Sequence, residues 1–159
     1  TNLDNAAGGV NYKIADILGL QDVTFLSQQG DGGSGVIGVL PEAVDAMDFM
    51  RTVKEKFAVE CLMHNNGPQK KVQKVALCGG SGDFLLSNAI AQGADVFLTG
   101  EMGYHYYFGH EQEIWIGVLG HYQSEQFTIE LMEEILHREC PTLRVEKVSF
   151  STNPIHYII

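Results

Sequence analysis

Apolar residues recur at helical spacing near the start of the chain, where Val10, Ile14, Ile17 and Leu18 fall on one face and Gly19 is placed to end the helix. Residues 27–38 are polar and glycine-rich, and glycine weakens the interior of any regular element, so the stretch reads as a connection, a lid or an insertion point. Helical spacing resumes after Pro41 with Val44, Met47, Met50, Val53 and Phe57. Residues 72–78 then read as a buried strand, 79–82 as a tight turn, and 83–92 as a helix ended by Gly93. Two further strands, 95–99 and 115–119, precede a helix over 122–138 whose apolar face is Phe127, Leu131, Met132, Ile135 and Leu136. Alternation over 143–150 predicts a closing strand with one exposed face. Short strands and helices in alternation predict an α/β fold, a layered mixed or parallel sheet flanked by helices, within a single domain.

The composition supplies one packed core: the 159 residues are 45% hydrophobic and 19% charged. A net charge of −10 argues against nucleic acid as a partner. The basic cluster Lys70, Lys71 and Lys74 reads as solvated surface rather than a phosphate track. No apolar run approaches the roughly 20 residues of a membrane-crossing helix. Cys61, Cys78 and Cys140 are an odd number with no C-x-x-C pair, which points to a reducing, cytoplasmic setting.

The densest local chemistry is Gly120-His121-Tyr122-Gln123-Ser124-Glu125, which follows a hydrophobic strand and opens a helix. Spaced four apart, His121 and Glu125 share a helix face and offer an imidazole and a carboxylate to one divalent ion. Equally, Glu125 can complement the helix dipole while His121 bonds a loop carbonyl. Asp4 precedes the glycine bend and the first helix, where a turn-capping role is the ordinary one. The 78–83 turn, Cys78-Gly79-Gly80-Ser81-Gly82-Asp83, lies between strand and helix, where backbone N–H groups could receive an anion, although it lacks the Walker ending. Neither Cys78 nor Ser81 has an identified base beside it to make it a nucleophile. Glu101 and His105 sit past a strand end, where open α/β sheets place their sites, and suit a general base and acid or an orienting role towards ligands. His64, His110 and His137 read as surface residues, and His156 as a hydrogen-bonded structural one.

Taken in order, Thr1-Asn2-Leu3-Asp4 with Gly8-Gly9-Val10-Asn11, Cys78-Gly79-Gly80-Ser81-Gly82, Asp95 with Thr99-Gly100-Glu101, Gly120-His121 with Glu125, and Thr152-Asn153-Pro154 resemble the GTP cyclohydrolase 1 type 2 homologue family, the Nif-three-like proteins. The resemblance implies a Nif-three-like fold and a site of two divalent metal ions (Zn, Mn or Fe), with Asp4, His121 and Glu125 among the ligands. It implies a metal-dependent hydrolase in which Glu101 or His105 moves protons, or a metal-binding scaffold that turns nothing over. The substrate would be a small molecule, a nucleotide among the candidates, and the assembly a homohexamer. In the family a long upstream segment with a paired-histidine motif supplies further ligands. His64-Asn65 is not that pair, so the chain is expected to be the C-terminal part of the family fold, whose three ligands alone would hold one ion weakly. Some family members carry an inserted domain near the position of residues 27–38.

Overall fold

In the computed structural model, residues 2–158 are described; Thr1, the first residue of the T-N-L-D motif, and Ile159 lie outside the described residues. Helix α1 (Val10–Leu18) matches its predicted span, and Gly19 ends it in the left-handed conformation at φ 74°. Strands β1 (Gln21–Gln29) and β2 (Gly32–Val44) follow, then helix α2 (Ala46–Lys56), capped by the Asp45 carboxylate accepting from the N–H groups of Met47 and Asp48. Beyond the short strand β3 (Met63–His64) come β4 (Val72–Ser81), a 3-10 turn (Asp83–Leu85), helix α3 (Leu86–Ala91) and β5 (Val96–Glu101). A second 3-10 turn (Tyr104–Tyr107), β6 (Trp115–Val118), α4 (His121–Glu125) and α5 (Thr128–Glu139) complete the order.

The strands form one mixed sheet in the order β1-β2-β4-β5-β6-β3. Parallel pairs β4/β5 and β5/β6 lie inside it, and antiparallel pairs β1/β2, β2/β4 and β3/β6 flank them. Strand residues alternate between two cores. Val75, Leu77, Val96 and Leu98 pack with Val10, Ile14, Phe49, Val53 and Phe57 of the helices on one face. Ala76, Cys78 and Phe97 pack with Leu85, Leu86 and Ala89 on the other. Burial on both faces is why β4 and β5 read as near-continuous hydrophobic runs. The predicted α/β layered mixed sheet flanked by helices is therefore the observed architecture.

Several element expectations are corrected. Residues 79–81 extend β4 instead of forming a tight turn, and Val44 ends β2 instead of joining the helix that follows. Residues 27–38 are no loose connection: they lie in the β1–β2 hairpin, with Ser27 opposite Ser34 and Gln29 opposite Gly32. Gly30 takes the left-handed conformation at φ +60°, whereas Gly33 serves close approach: a Cβ there would sit 2.6 Å from Cγ of Phe25 and 2.5 Å from the carbonyl oxygen of Ser27. The helix predicted over 122–138 is two helices, because α4 ends at Glu125 and Phe127 precedes α5. Residues 143–150 form no strand. Their alternation fixes which side chains share a face, but a strand also needs a neighbour's backbone to pair with. Among the described residues, no helix is long and apolar enough to cross a membrane.

Candidate functional site

The parallel strands end side by side, and the ladder continues past them. The Leu119 N–H donates to the Thr99 carbonyl at 2.9 Å and the Gly120 N–H to the Gly100 carbonyl at 3.0 Å. This register sets Glu101, the last residue of β5, beside His121, the first of α4. Nδ1 of His121 lies 2.9 Å from Oε1 of Glu101, and Nε2 lies 3.4 Å from Oε2 of Glu125 one helical turn on. The His121–Glu125 couple expected from the four-residue spacing is thus present, and Glu101 joins it.

The β4 end closes the third side. Ser124 Oγ accepts from the Gly80 N–H at 3.0 Å and donates to the His121 carbonyl at 2.8 Å, tying β4 to α4. Gly80 lies at φ +64°, and a Cβ there would stand 2.5 Å from Oε1 of Glu125 and 3.3 Å from Nε2 of His121. Glu125 and His121 can pack this closely on the end of β4 because this residue has no side chain. Asn11 brings in the remaining loop: its Nδ2 donates to the Asp4 carbonyl at 3.0 Å and its Oδ1 accepts from the Gly79 N–H at 2.8 Å.

Electrostatics place Asp4 in the same corner. Burial pushes the Glu125 carboxyl above its usual range; the neighbouring His121 opposes the rise, and the Asp4 charge adds to it. The Cys78 thiol is pushed up to about 12, first by burial and then by the Asp4 and Glu125 charges, so it is a protonated core group rather than a nucleophile. Among the described residues, no three His, Cys, Asp or Glu side chains stand close enough together to hold an ion as they are. His121 and Glu125 meet directly, and the Asp4 charge acts on Glu125.

Three other expectations change. The 78–83 turn is not an open anion cradle. Its Gly79, Gly80 and Gly82 N–H groups already donate to Asn11, Ser124 and Thr99 side chains, and the Glu125 carboxylate beside it repels anions. His105 is not part of the hydrogen-bonded group; it sits exposed on the Tyr104–Tyr107 turn with its ring 5.6 Å from that of Tyr104. His110, expected to be solitary, pairs with Glu113 at 2.7 Å. Lys70 and Lys71 of the lysine cluster lie on the surface as expected, but two of the three lysines are also tied into the fold: Lys70 pairs with Asp95 at 2.6 Å and Lys74 donates to the Gln92 carbonyl.

A cleft of about 780 Å³ is lined by Glu101, His121 and Glu125 together with Ser151, Thr152 and Asn153. Its volume is that of a small-molecule site. The Thr152-Asn153-Pro154 motif thereby gains a place, as part of the cleft wall. Within that wall Asn153 Oδ1 accepts from the Ile155 N–H at 3.1 Å.

Asn11, Gly80 and Ser124 were not singled out as site residues by sequence. A polar Asn11 on an otherwise apolar helix face, 2% exposed, was the available signal.

Residues 1–154 match the family described as Duf34/NIF3 (NGG1p interacting factor 3). The chain is a Duf34/NIF3 protein. Among curated relatives, the GTP cyclohydrolase 1 type 2 homolog of Streptococcus pneumoniae is 34% identical over 66% of this chain and 41% of its own length. The protein of the same description from Lactococcus lactis is 29% identical over 99% of this chain and 62% of its own. The Duf34/NIF3 chain therefore spans about half the length of such relatives. The crystal structure of Staphylococcus aureus protein SA1388 superposes with a TM-score of 0.86 at 21% identity, covering 99% of this chain and 67% of that one. That of a Bacillus cereus protein related to NIF3 does so at 0.80 and 19% identity, covering 99% and 72%. These likenesses show the fold.

Proposed function

We propose that this Duf34/NIF3 chain binds a divalent metal ion, Zn, Mn or Fe, through His121 and Glu125 with Asp4 as a third ligand, and forms part of a metal-dependent hydrolase acting on a small molecule. The observation that carries the reading is the approach of His121 to Glu125, Nε2 to Oε2 at 3.4 Å, in the lining of the same cleft. A neutral imidazole and a carboxylate are a borderline-to-hard donor pair suited to such ions, and a third ligand would have to close on the pair when the ion binds. When bound, the metal would lower the pKa of a coordinated water and polarise an electrophilic carbon or phosphorus.

The chain's own residues supply the rest. The cleft lined by His121 and residues 151–153 would hold the substrate, and Glu101 in its lining or the exposed His105 of the following turn would carry protons. The name of the curated relatives, GTP cyclohydrolase 1 type 2 homolog, supports a nucleotide as the first substrate class to try. A second ion, a homohexameric assembly and a cytoplasmic setting are part of the same proposal, and the three unbridged cysteines are compatible with the last.

The test is metal analysis of the purified protein with His121→Ala and Glu125→Ala beside it, followed by turnover of GTP and of simple phosphoesters with and without chelator. Metal content that drops in both variants, with chelator-sensitive turnover, is expected. Metal without turnover would favour a binding scaffold, and unchanged metal content in both variants would remove the ligand assignment.

A further inference from the structure

The two ring nitrogens of His121 face different carboxylates, and the distances are unequal. Nδ1 is 2.9 Å from Glu101, a normal charge-assisted hydrogen bond, whereas Nε2 is 3.4 Å from Glu125, longer than such bonds run. A neutral imidazole carries a single proton, and an ionised carboxylate only accepts. For a neutral ring the shorter contact favours the proton on Nδ1, which leaves the Nε2 lone pair on the Glu125 side. We propose that Glu101 is a positioning residue: it holds His121 in the Nδ1–H tautomer so that Nε2 stays free to ligate.

The frame makes this hold independent of side-chain chance. Glu101 and His121 follow immediately on the backbone bond from Gly120 to Gly100, so the carboxylate is delivered to the ring by the β5–β6 ladder. Without Glu101, the competing arrangement is an Nε2–H donated to Glu125. That bond would join the two prospective ligands to each other and occupy the lone pair a metal requires. Glu101 thus acts through His121 rather than on a substrate. The inference deepens the metal-binding reading and rests on it for its purpose, but the tautomer can be observed without any metal.

The measurement is a long-range 1H–15N correlation spectrum of the metal-free, histidine-labelled protein, at a pH where the His121 ring nitrogens show a neutral imidazole, with the signal assigned through His121→Gln. Wild type should show Nδ1–H. Glu101→Ala should shift the ring towards Nε2–H, and Glu101→Asp should restore Nδ1–H in part. Glu101 is half exposed, so these variants should keep the fold, as thermal melts will report. Zinc affinity by chelator competition should fall about 10- to 100-fold in Glu101→Ala, with partial recovery in Glu101→Asp. An Nε2–H ring in wild type, a tautomer that Glu101→Ala leaves unmoved, or a zinc affinity unchanged in that variant would each overturn the proposal. Failure of wild type to bind zinc would instead overturn the metal reading and the ligand role of His121, while the tautomer alone would still decide whether Glu101 holds the ring.

Discussion

Asn11 reaches across the sequence to Gly79, accepting its backbone N–H through Oδ1 at 2.8 Å, and with Nδ2 it donates to the carbonyl of Asp4 at 3.0 Å. One side chain thereby locks the Asp4 loop to the end of β4. Asn11→Leu should leave both backbone groups without their partner and destabilise the protein by about 2–4 kcal/mol, the usual penalty for two such losses in a buried setting. Urea unfolding measures it. The same variant should weaken metal binding although Asn11 is no ligand, because Asp4 loses its anchor; full metal affinity in a folded Asn11→Leu would disprove that link.

Gly80 and Gly93 offer a paired experiment. Both sit in the left-handed region, at φ +64° and +69°, but a Cβ on Gly93 meets nothing within 4 Å, whereas one on Gly80 meets Oε1 of Glu125 at 2.5 Å. Gly93→Ala should therefore cost only the left-handed strain, about 1–2 kcal/mol, and leave metal affinity intact. Gly80→Ala should carry that strain and in addition weaken zinc binding by about tenfold or more. Equal zinc affinity in the two variants would show that the placement of Glu125 and His121 against Gly80 does not matter for the ion.

Much of this was written locally in the chain. The stripe Val10, Ile14, Ile17 and Leu18 with Gly19 after it specified α1 to the residue, since a helix closes its own hydrogen bonds. The His121–Glu125 couple was legible for the same reason. What stayed hidden is non-local. Glycines that allow Gly33 to lie on Phe25 look identical in sequence to glycines of a loose loop. Alternation over 143–150 names a face but no pairing partner. The link from Asn11 to Gly79 and that from Ser124 to Gly80 exist only once the sheet order has brought distant segments together.

Acid should weaken the fold at a nameable point. Asp95, just before β5, accepts from the N–H groups of Gln73 and Lys74 through Oδ2 and pairs with Lys70 through Oδ1. Burial alone would raise its pKa, but the Lys70 hydrogen bond and the two backbone donors outweigh that and hold it below the usual carboxylate range. A depressed pKa contributes stability that is fully present above the unfolded value of about 3.9 and is lost as pH falls through the folded one. Asp95→Asn should cost about 1–2 kcal/mol at pH 7. The gap from wild type should stay constant down to about pH 5 and close below about pH 4 in urea melts. A gap that widens with acid would contradict the assignment. Because the Lys70 side chain is half exposed, high salt should shrink only part of the effect.

Glu125 runs the other way. Burial lifts its pKa, His121 opposes the rise, and Asp4 and Glu101 add to it, so in the metal-free fold the charged form of this carboxylate carries a net cost. Glu125→Gln preserves shape and removes the charge. In the presence of chelator its Tm should exceed that of wild type by about 2–4 °C, the response of a chain this size to about 1 kcal/mol. Added zinc should then reverse the ranking, because a ligand stabilises only the form that binds it, and wild type should climb with zinc concentration while Glu125→Gln stays flat. Differential scanning calorimetry with and without zinc reads both halves. A lower Tm for the chelated variant would identify the His121–Glu125 contact as a net stabilising ion pair, and a zinc response equal to that of wild type would remove Glu125 from the ligand set.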